Sequence, residues 1–192
     1  MQSFRLMILI ASTRPGRIGP AIGEWVTEVA EQHGGFDVDV VDLADLDLPL
    51  VDEPNHPRLR QYTKDHTKRW SERVDAADAF LFVMPEYNHG YTAPLKNALD
   101  YVFEEWAYKP VGLVSYGGVS GGTRATQLLK PVLAGLKLVA ITEAVAIPFV
   151  RQHIDEDERF HANDDLNGAA KTMLDEVARW AGALAPLRSP AA

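Results

Sequence analysis

The sequence predicts an α/β protein, a single domain in which a five-stranded parallel sheet is covered by helices on both faces. Three observations predict it. Short runs such as Leu6–Ala11 (LMILIA) and Ala79–Met84 (AFLFVM) are apolar at consecutive positions, as strands buried on both faces are. Amphipathic helical patterns separate these runs. The chain has 192 residues, enough for one sizeable core.

In chain order, Phe4–Ala11 reads as the first strand and residues 18–33 as a helix. Its stripe is Ile18, Ile22, Trp25 or Val26, and Val29, and Gly34-Gly35 ends it. Val38–Asp42 is the second strand, followed by an acidic excursion over 43–57. Residues 58–77 read as a helix opened by Pro57, and Ala79–Met84 as the third strand. Pro94 opens a helix that aligns Leu95, Leu99, Val102 and Phe103. Val111–Tyr116 is the fourth strand, 124–136 a helix, Leu138–Ile147 a broken fifth strand and 167–185 the last helix. The tail 186–192 is expected to fray. Right-handed crossovers leave few topologies for this order, and the flavodoxin-like arrangement 2-1-3-4-5, a three-layer α/β/α sandwich, suits five strands best.

Composition narrows the function. The net charge is −8, which disfavours nucleic acid and anionic membranes as partners. The chain has no cysteine, which removes disulfides and thiolate chemistry and fits a cytoplasmic protein. Its six histidines show no metal-binding spacing, so no metal is expected. The first apolar run leads straight into arginines and is not read as a secretory leader. No apolar stretch approaches the ~20 residues that span a bilayer.

In folds of this order ligands bind beyond the carboxyl ends of the strands, beside strand 1. Three loops lie there, and they are rich in unusual residues. Loop 12–19 (STRPGRIG) joins a strand end to a helix start, where unpaired N–H groups and the positive dipole end face outward. Ser12 and Thr13 add hydroxyls, Arg14 and Arg17 add charge, and Gly16 and Gly19 allow close approach, which together suit a phosphate. The plainer alternative is a helix cap with solvated arginines. Loop 85–93 (PEYNHGYTA) offers the flat faces of Tyr87 and Tyr91, the amide of Asn88 and the acid Glu86; otherwise it is an exposed turn, with Thr92 capping the next helix. Loop 117–123 (GGVSGGT) lets backbone approach a flat ligand, or is a flexible turn. Within it Gly118-Val119-Ser120-Gly121-Gly122 matches a nucleophile-elbow pattern, with His153 or His161 and Asp155 or Asp157 as nominal partners for Ser120. Those partners crowd into one segment, which disfavours a serine hydrolase.

STRPGR after strand 1, PEYNHGYTAPLKNALDYVFEEW after strand 3 and KPVGLVSYGGVSGG through strand 4 resemble the NADPH-dependent FMN reductase family, over roughly residues 4–150. Ala11, where many relatives carry glycine, and His89-Gly90 depart from the family pattern. The resemblance implies that Ser12, Thr13, Arg14, Arg17, Ile18 and Gly19 hold the FMN phosphate by side chains and backbone amides. Pro85, Glu86, Tyr87 and Asn88 would line the isoalloxazine, largely through main chain, and Gly117 and Gly118 would flank its other edge. It further implies an enzyme that passes hydride from NADPH (or NADH) through FMN to a quinone, azo or flavin acceptor in a ping-pong cycle, with no side chain required as acid or base. It implies a homodimer or homotetramer too, with the excursion 43–57 and the surroundings of Trp106 as candidate contacts. A non-enzymatic FMN-binding electron carrier is the alternative from another class.

Overall fold

In a computed structural model, which describes residues 3–188, five parallel strands form one sheet in the order β2-β1-β3-β4-β5. They are β1 (Phe4–Ile10), β2 (Phe36–Asp42), β3 (Ala79–Pro85), β4 (Pro110–Tyr116) and β5 (Val139–Ile147). The helices are α1 (Gly19–His33), α2 (Leu43–Leu46), α3 (Asp65–Ala76), α4 (Ala93–Asp100), α5 (Thr123–Gly135) and α6 (Asp164–Arg188). The expected fold and strand order are those observed.

The runs apolar at every position have two faces to bury. Met7 and Leu9 of β1, with Phe80 and Phe82 of β3, pack under α3, α4 and α5 through Trp70, Leu99 and Leu129. Leu6 and Ile8, with Leu81 and Val83, pack under α1 and α6 through Ile22, Val26 and Val177. A period of two within a strand thus feeds two separate cores. Gly34 ends α1 in the left-handed conformation (φ 73°), its N–H bonded to the Glu31 carbonyl.

Four local expectations need correction. Residues 58–64 are not helical: Pro57 opens only a 3₁₀ turn, Pro57–Leu59, and Arg60 turns left-handed at φ 51°. The cause is long-range. The Glu105 carboxylate, wholly buried, accepts from Tyr62 Oη at 2.9 Å and Ser71 Oγ at 2.6 Å, and Arg60 Nε lies 3.3 Å from it. The α4 helix stops at Asp100, before Val102 and Phe103, and a 3₁₀ turn at Glu104–Trp106 follows. The last helix begins earlier, at Asp164, with Asn163 Oδ1 accepting from Leu166 N at 2.9 Å. It also runs through Pro186 to Arg188, which pairs with Asp78 at 3.1 Å, so residues 186–188 are held; 189–192, the rest of the tail expected to fray, lie outside the described residues. The fifth strand is continuous but carries a register shift opposite Val111 and Leu113.

Parallel register sets the carboxyl ends side by side. Ile10 pairs with Asp42 on one flank and Val83 on the other, Pro85 faces Tyr116, and Tyr116 faces Ile147. The three unusual loops therefore leave the sheet from adjacent points.

Candidate active site

Loop 12–19 begins as β1 ends. Ala11 N donates to the Val83 carbonyl, and Thr92 Oγ1 donates to the Ala11 carbonyl at 2.7 Å while accepting from Leu95 N at the start of α4. One threonine thus caps a helix and fastens the strand exit. Arg14-Pro15-Gly16-Arg17 then forms a turn closed by Arg17 N on the Arg14 carbonyl at 3.2 Å. Proline at its second position and Gly16 at φ 69° in its third make it type II. The turn delivers the chain into α1, whose cap residue Ile18 offers no side-chain acceptor, so the first N–H groups of α1 get no side-chain partner there.

The two arginines differ. Arg17 Nη1 donates to Asp42 Oδ1 at 2.6 Å and to the Ser12 carbonyl at 2.7 Å. The bond to Asp42 holds its proton more tightly than an ordinary guanidinium would. Asp42 also accepts from Ala44 N, so Arg17 fixes loop 12–19 to the start of α2. Arg14 is exposed and makes no ion pair among the described residues; its guanidinium stands 5.7 Å from the centre of the Tyr87 ring.

Under the start of α1 lie two hydroxyls, Ser12 Oγ and Tyr116 Oη, in residues 0% and 4% exposed, with no hydrogen-bond partner outside the pair. A methyl group added at Gly19 would stand 2.1 Å from Ser12 Oγ and 2.9 Å from Tyr116 Oη, so both hydroxyls converge on the backbone of Gly19. Burial pushes the Tyr116 phenol well above its ordinary range, so it is a hydrogen-bond donor at neutral pH. Orphaned buried polar groups are costly and uncommon. Sequence reasoning missed Tyr116 because it was counted as the last residue of an apolar strand.

Residues 87–90 form a two-residue hairpin: Tyr87 N donates to the Gly90 carbonyl and Gly90 N to that of Tyr87, both at 2.9 Å. Glu86 N donates to the Tyr116 carbonyl. The Glu86 side chain is tied to the start of α5: Oε1 meets Arg124 Nε at 2.9 Å and Oε2 accepts from Arg124 N at 3.1 Å. Burial would raise its pKa, but Ser120, the Ala125 amide and the Arg124 charge outweigh it, so the carboxyl titrates below its usual range. The glycine loop is tied in turn to the residues after β5: Val150 N donates to the Gly117 carbonyl and Phe149 N to that of Gly118.

Arg14, Arg17, Ile18, Pro85, Glu86, Tyr87, Tyr116, Gly117, Val150 and Arg151 line one shallow cleft of about 140 Å³. The structure thus gathers the three loops; Ser12 and Gly19 lie just beneath, Asn88 turns at the hairpin tip, and Thr13 faces a neighbouring hollow with Asp47 and Asn97. Val150 and Arg151 gave no sequence signal; the backbone bond from Val150 N to the Gly117 carbonyl and the burial of the Val150 side chain bring them in. Larger hollows lie between α1 and α6, where His33 pairs with Asp175, and at the opposite end of the sheet, where Arg188 pairs with Asp78. Ser120 makes no hydrogen bond to a histidine among the described residues; the nearest thing to a catalytic pair, His161 on Asp155 at 2.6 Å, is exposed and bonded only to its own segment.

The sequence profile of the NADPH-dependent FMN reductases matches residues 4–152. The chain belongs to this family. It is an oxidoreductase of the NAD(P)H-dependent type that works with FMN. An NAD(P)H-dependent FMN reductase of Schizosaccharomyces pombe is 41% identical over 152 residues, covering 78% of this chain and 76% of its own. An FMN-dependent NADPH-azoreductase of Staphylococcus saprophyticus is 24% identical over 173 residues, covering 89% and 92%. Among solved structures, the flavoenzyme NAD(P)H:(acceptor) oxidoreductase FerB of Paracoccus denitrificans superposes with a TM-score of 0.74 at 20% identity, over 94% of this chain and 98% of that one. The local chemistry fits FMN: a phosphate monoester would suit the positive end of α1 and the charge of Arg14, with the buried hydroxyls of Ser12 and Tyr116 just beneath. No described helix is long and apolar enough to cross a membrane.

Proposed function

We propose that the chain passes hydride from NADPH by way of FMN to a quinone, azo or flavin acceptor in a ping-pong cycle. The observation that carries this reading is the pair of orphaned hydroxyls beneath Gly19. Ser12 and Tyr116 donate to phosphate oxygens, the amides of Thr13, Ile18 and Gly19 supply further donors, and Arg14 supplies charge. Arg17, held by Asp42, contributes mainly by fixing the loop and adding field. Pro85, Glu86, Tyr87 and Asn88 form one wall for the ring system, and Gly117 and Gly118 the other. The main-chain N–H groups of Glu86 and Tyr87 are already bonded, so Asn88 offers the hairpin's polar contact to the ring.

A cleft of about 140 Å³ is far smaller than the ≈ 300 Å³ or more that encloses a drug-sized ligand, so a flavin seated here keeps one face open. That openness favours successive use of the site by NADPH and an acceptor. No carboxylate or histidine stands free among the residues that line the cleft, since Glu86 is spent on α5, and the chemistry is the cofactor's. The absence of cysteine favours a cytoplasmic setting. The proposed assembly is a homodimer or homotetramer joined through the excursion 43–57, where Leu50 and Val51 are 83% and 44% exposed; Trp106, wholly buried against Phe80 and Trp70, is core and not interface.

The test is the visible spectrum of the protein reconstituted with FMN, before and after anaerobic NADPH. A bound-flavin spectrum that bleaches promptly is expected. Bound flavin that NADPH leaves oxidised would make the protein a carrier, and failure to bind flavin would overturn the site.

A further inference from the structure

The hairpin at 87–90 holds Asn88 at φ 51° and His89 at φ 71°. Left-handed residues at both central positions make a type I′ turn, whose second place ordinarily falls to glycine. A histidine there carries backbone strain that glycine would not, and its ring is the group that reaches across to α5: His89 Nε2 lies 2.5 Å from Arg124 Nη1. A guanidinium only donates, so Nε2 accepts and the ring proton sits on Nδ1. The same guanidinium meets Glu86 through Nε at 2.9 Å, and Glu86 in turn caps the first turn of α5 through Arg124 N and Ala125 N. The Glu86 side chain is only 8% exposed, which makes its contact with Arg124 stronger than an open surface pair.

We propose that Glu86, Arg124 and His89 form a clamp that positions the Tyr87-Asn88 hairpin against the glycine loop, so that the two walls of the flavin cleft move as one body. Glu86 and Arg124 are positioning residues and need touch no ligand. His89 is the third member, which fixes the tip of the hairpin through Arg124. The clamp acts chiefly on the ring walls: the side chains of Ser12, Arg14 and Tyr116 make no hydrogen bond to the side chains of Glu86, Arg124 or His89 among the described residues, and the one link to the phosphate corner is the backbone bond from Glu86 N to the Tyr116 carbonyl. The inference rests on the flavin reading of the cleft.

The experiment uses the full chain, with H89G, R124A and the double variant. Glycine suits a left-handed position, so H89G keeps the turn while removing the ring and the strain, whereas R124A removes the contact and leaves the strain in place, so R124A decides the exchange readout. Two readouts are taken. Amide hydrogen exchange of residues 87–90 in the flavin-free protein should quicken about ten-fold in each single variant, and no further in the double, since both act through one contact. Dissociation constants for FMN and for riboflavin, from flavin fluorescence, should both rise about five-fold in each single variant, with their ratio unchanged. Unchanged exchange would overturn the clamp. Loss of FMN affinity alone would make Arg124 a phosphate ligand and overturn its positioning role, as would faster exchange with unchanged flavin affinity. If the wild-type protein binds neither flavin, the reading of the cleft fails first, and the exchange data still show whether the hairpin is tied to α5.

Discussion

The loop at 12–19 and the hairpin at 85–90 stand on two sides of one cleft and are built in opposite ways. In the hairpin nearly every polar group is used: Tyr87 and Gly90 bond each other, Glu86 caps α5, and His89 meets Arg124. In the proposed phosphate corner Ser12 Oγ and Tyr116 Oη have no partner outside the pair, and Arg14 makes no ion pair among the described residues. The difference separates shape from charge. A wall for a flat ring must be rigid before the ring arrives, whereas a seat for an anion must keep donors unspent until it arrives.

The largest expected effect breaks the unspent side. Gly19→Ala drives a methyl against Ser12 Oγ and Tyr116 Oη and displaces both hydroxyls. Overpacking costs the folded protein about 3 kcal/mol, read by chemical denaturation, and the loss of two hydroxyl donors of about 1 kcal/mol each adds roughly 30-fold weaker FMN binding, read by fluorescence titration. Arg14→Ala removes a charge-assisted contact of about 1.5–3 kcal/mol, so FMN affinity falls by roughly 10- to 150-fold while riboflavin affinity holds. Equal losses for both ligands would place Arg14 on the ring and not the phosphate. Tyr116→Phe sharpens the contrast further. It costs FMN about 1 kcal/mol of binding yet stabilises the flavin-free protein in chemical denaturation, because an unsatisfied hydroxyl is deleted. A flavin-free protein that is destabilised by this change would mean the phenol already has a partner.

The smallest effect tests the spent side by pH. Glu86 titrates below its unfolded value, so its carboxylate stabilises the fold above the ordinary range near pH 4.5, and that contribution is lost as pH falls through the lower folded value. The stability difference between the wild-type protein and Glu86→Gln should therefore shrink as the pH drops below about 4.5. A difference that stays constant to low pH would show that the carboxylate's charge has no part in capping α5.

Much of this contrast was legible in the residues. Apolar runs at every position meant two buried faces, two buried faces meant a parallel sheet, and a parallel sheet brings loops 12–19, 85–93 and 117–123 to one end. The type II turn at Arg14–Arg17 is written in Pro15-Gly16, and the cap at Thr92 in the proline that follows it. What stayed hidden depends on partners distant in sequence. Arg17 looked as free as Arg14 until β2 brought Asp42 alongside. Glu86 looked like a group facing the cleft until α5 offered it two amides. Residues 58–64 had helical spacing, but a buried Glu105 drew Arg60 and Tyr62 out of it. Tyr116 was hidden by its strand, although a hydroxyl at the last position of an apolar run was a usable sign.

The central claim is that the corner under α1 reads a phosphate. Calorimetric titration of the wild-type protein with FMN and with riboflavin, under identical salt, tests it most directly. The two ligands share the ring and ribityl chain and differ only in the phosphate. The account predicts FMN binding tighter by roughly 100-fold or more, the sum of a charge-assisted contact and two hydroxyl donors. Equal affinities would contradict it and leave the hydroxyls of Ser12 and Tyr116 without a ligand.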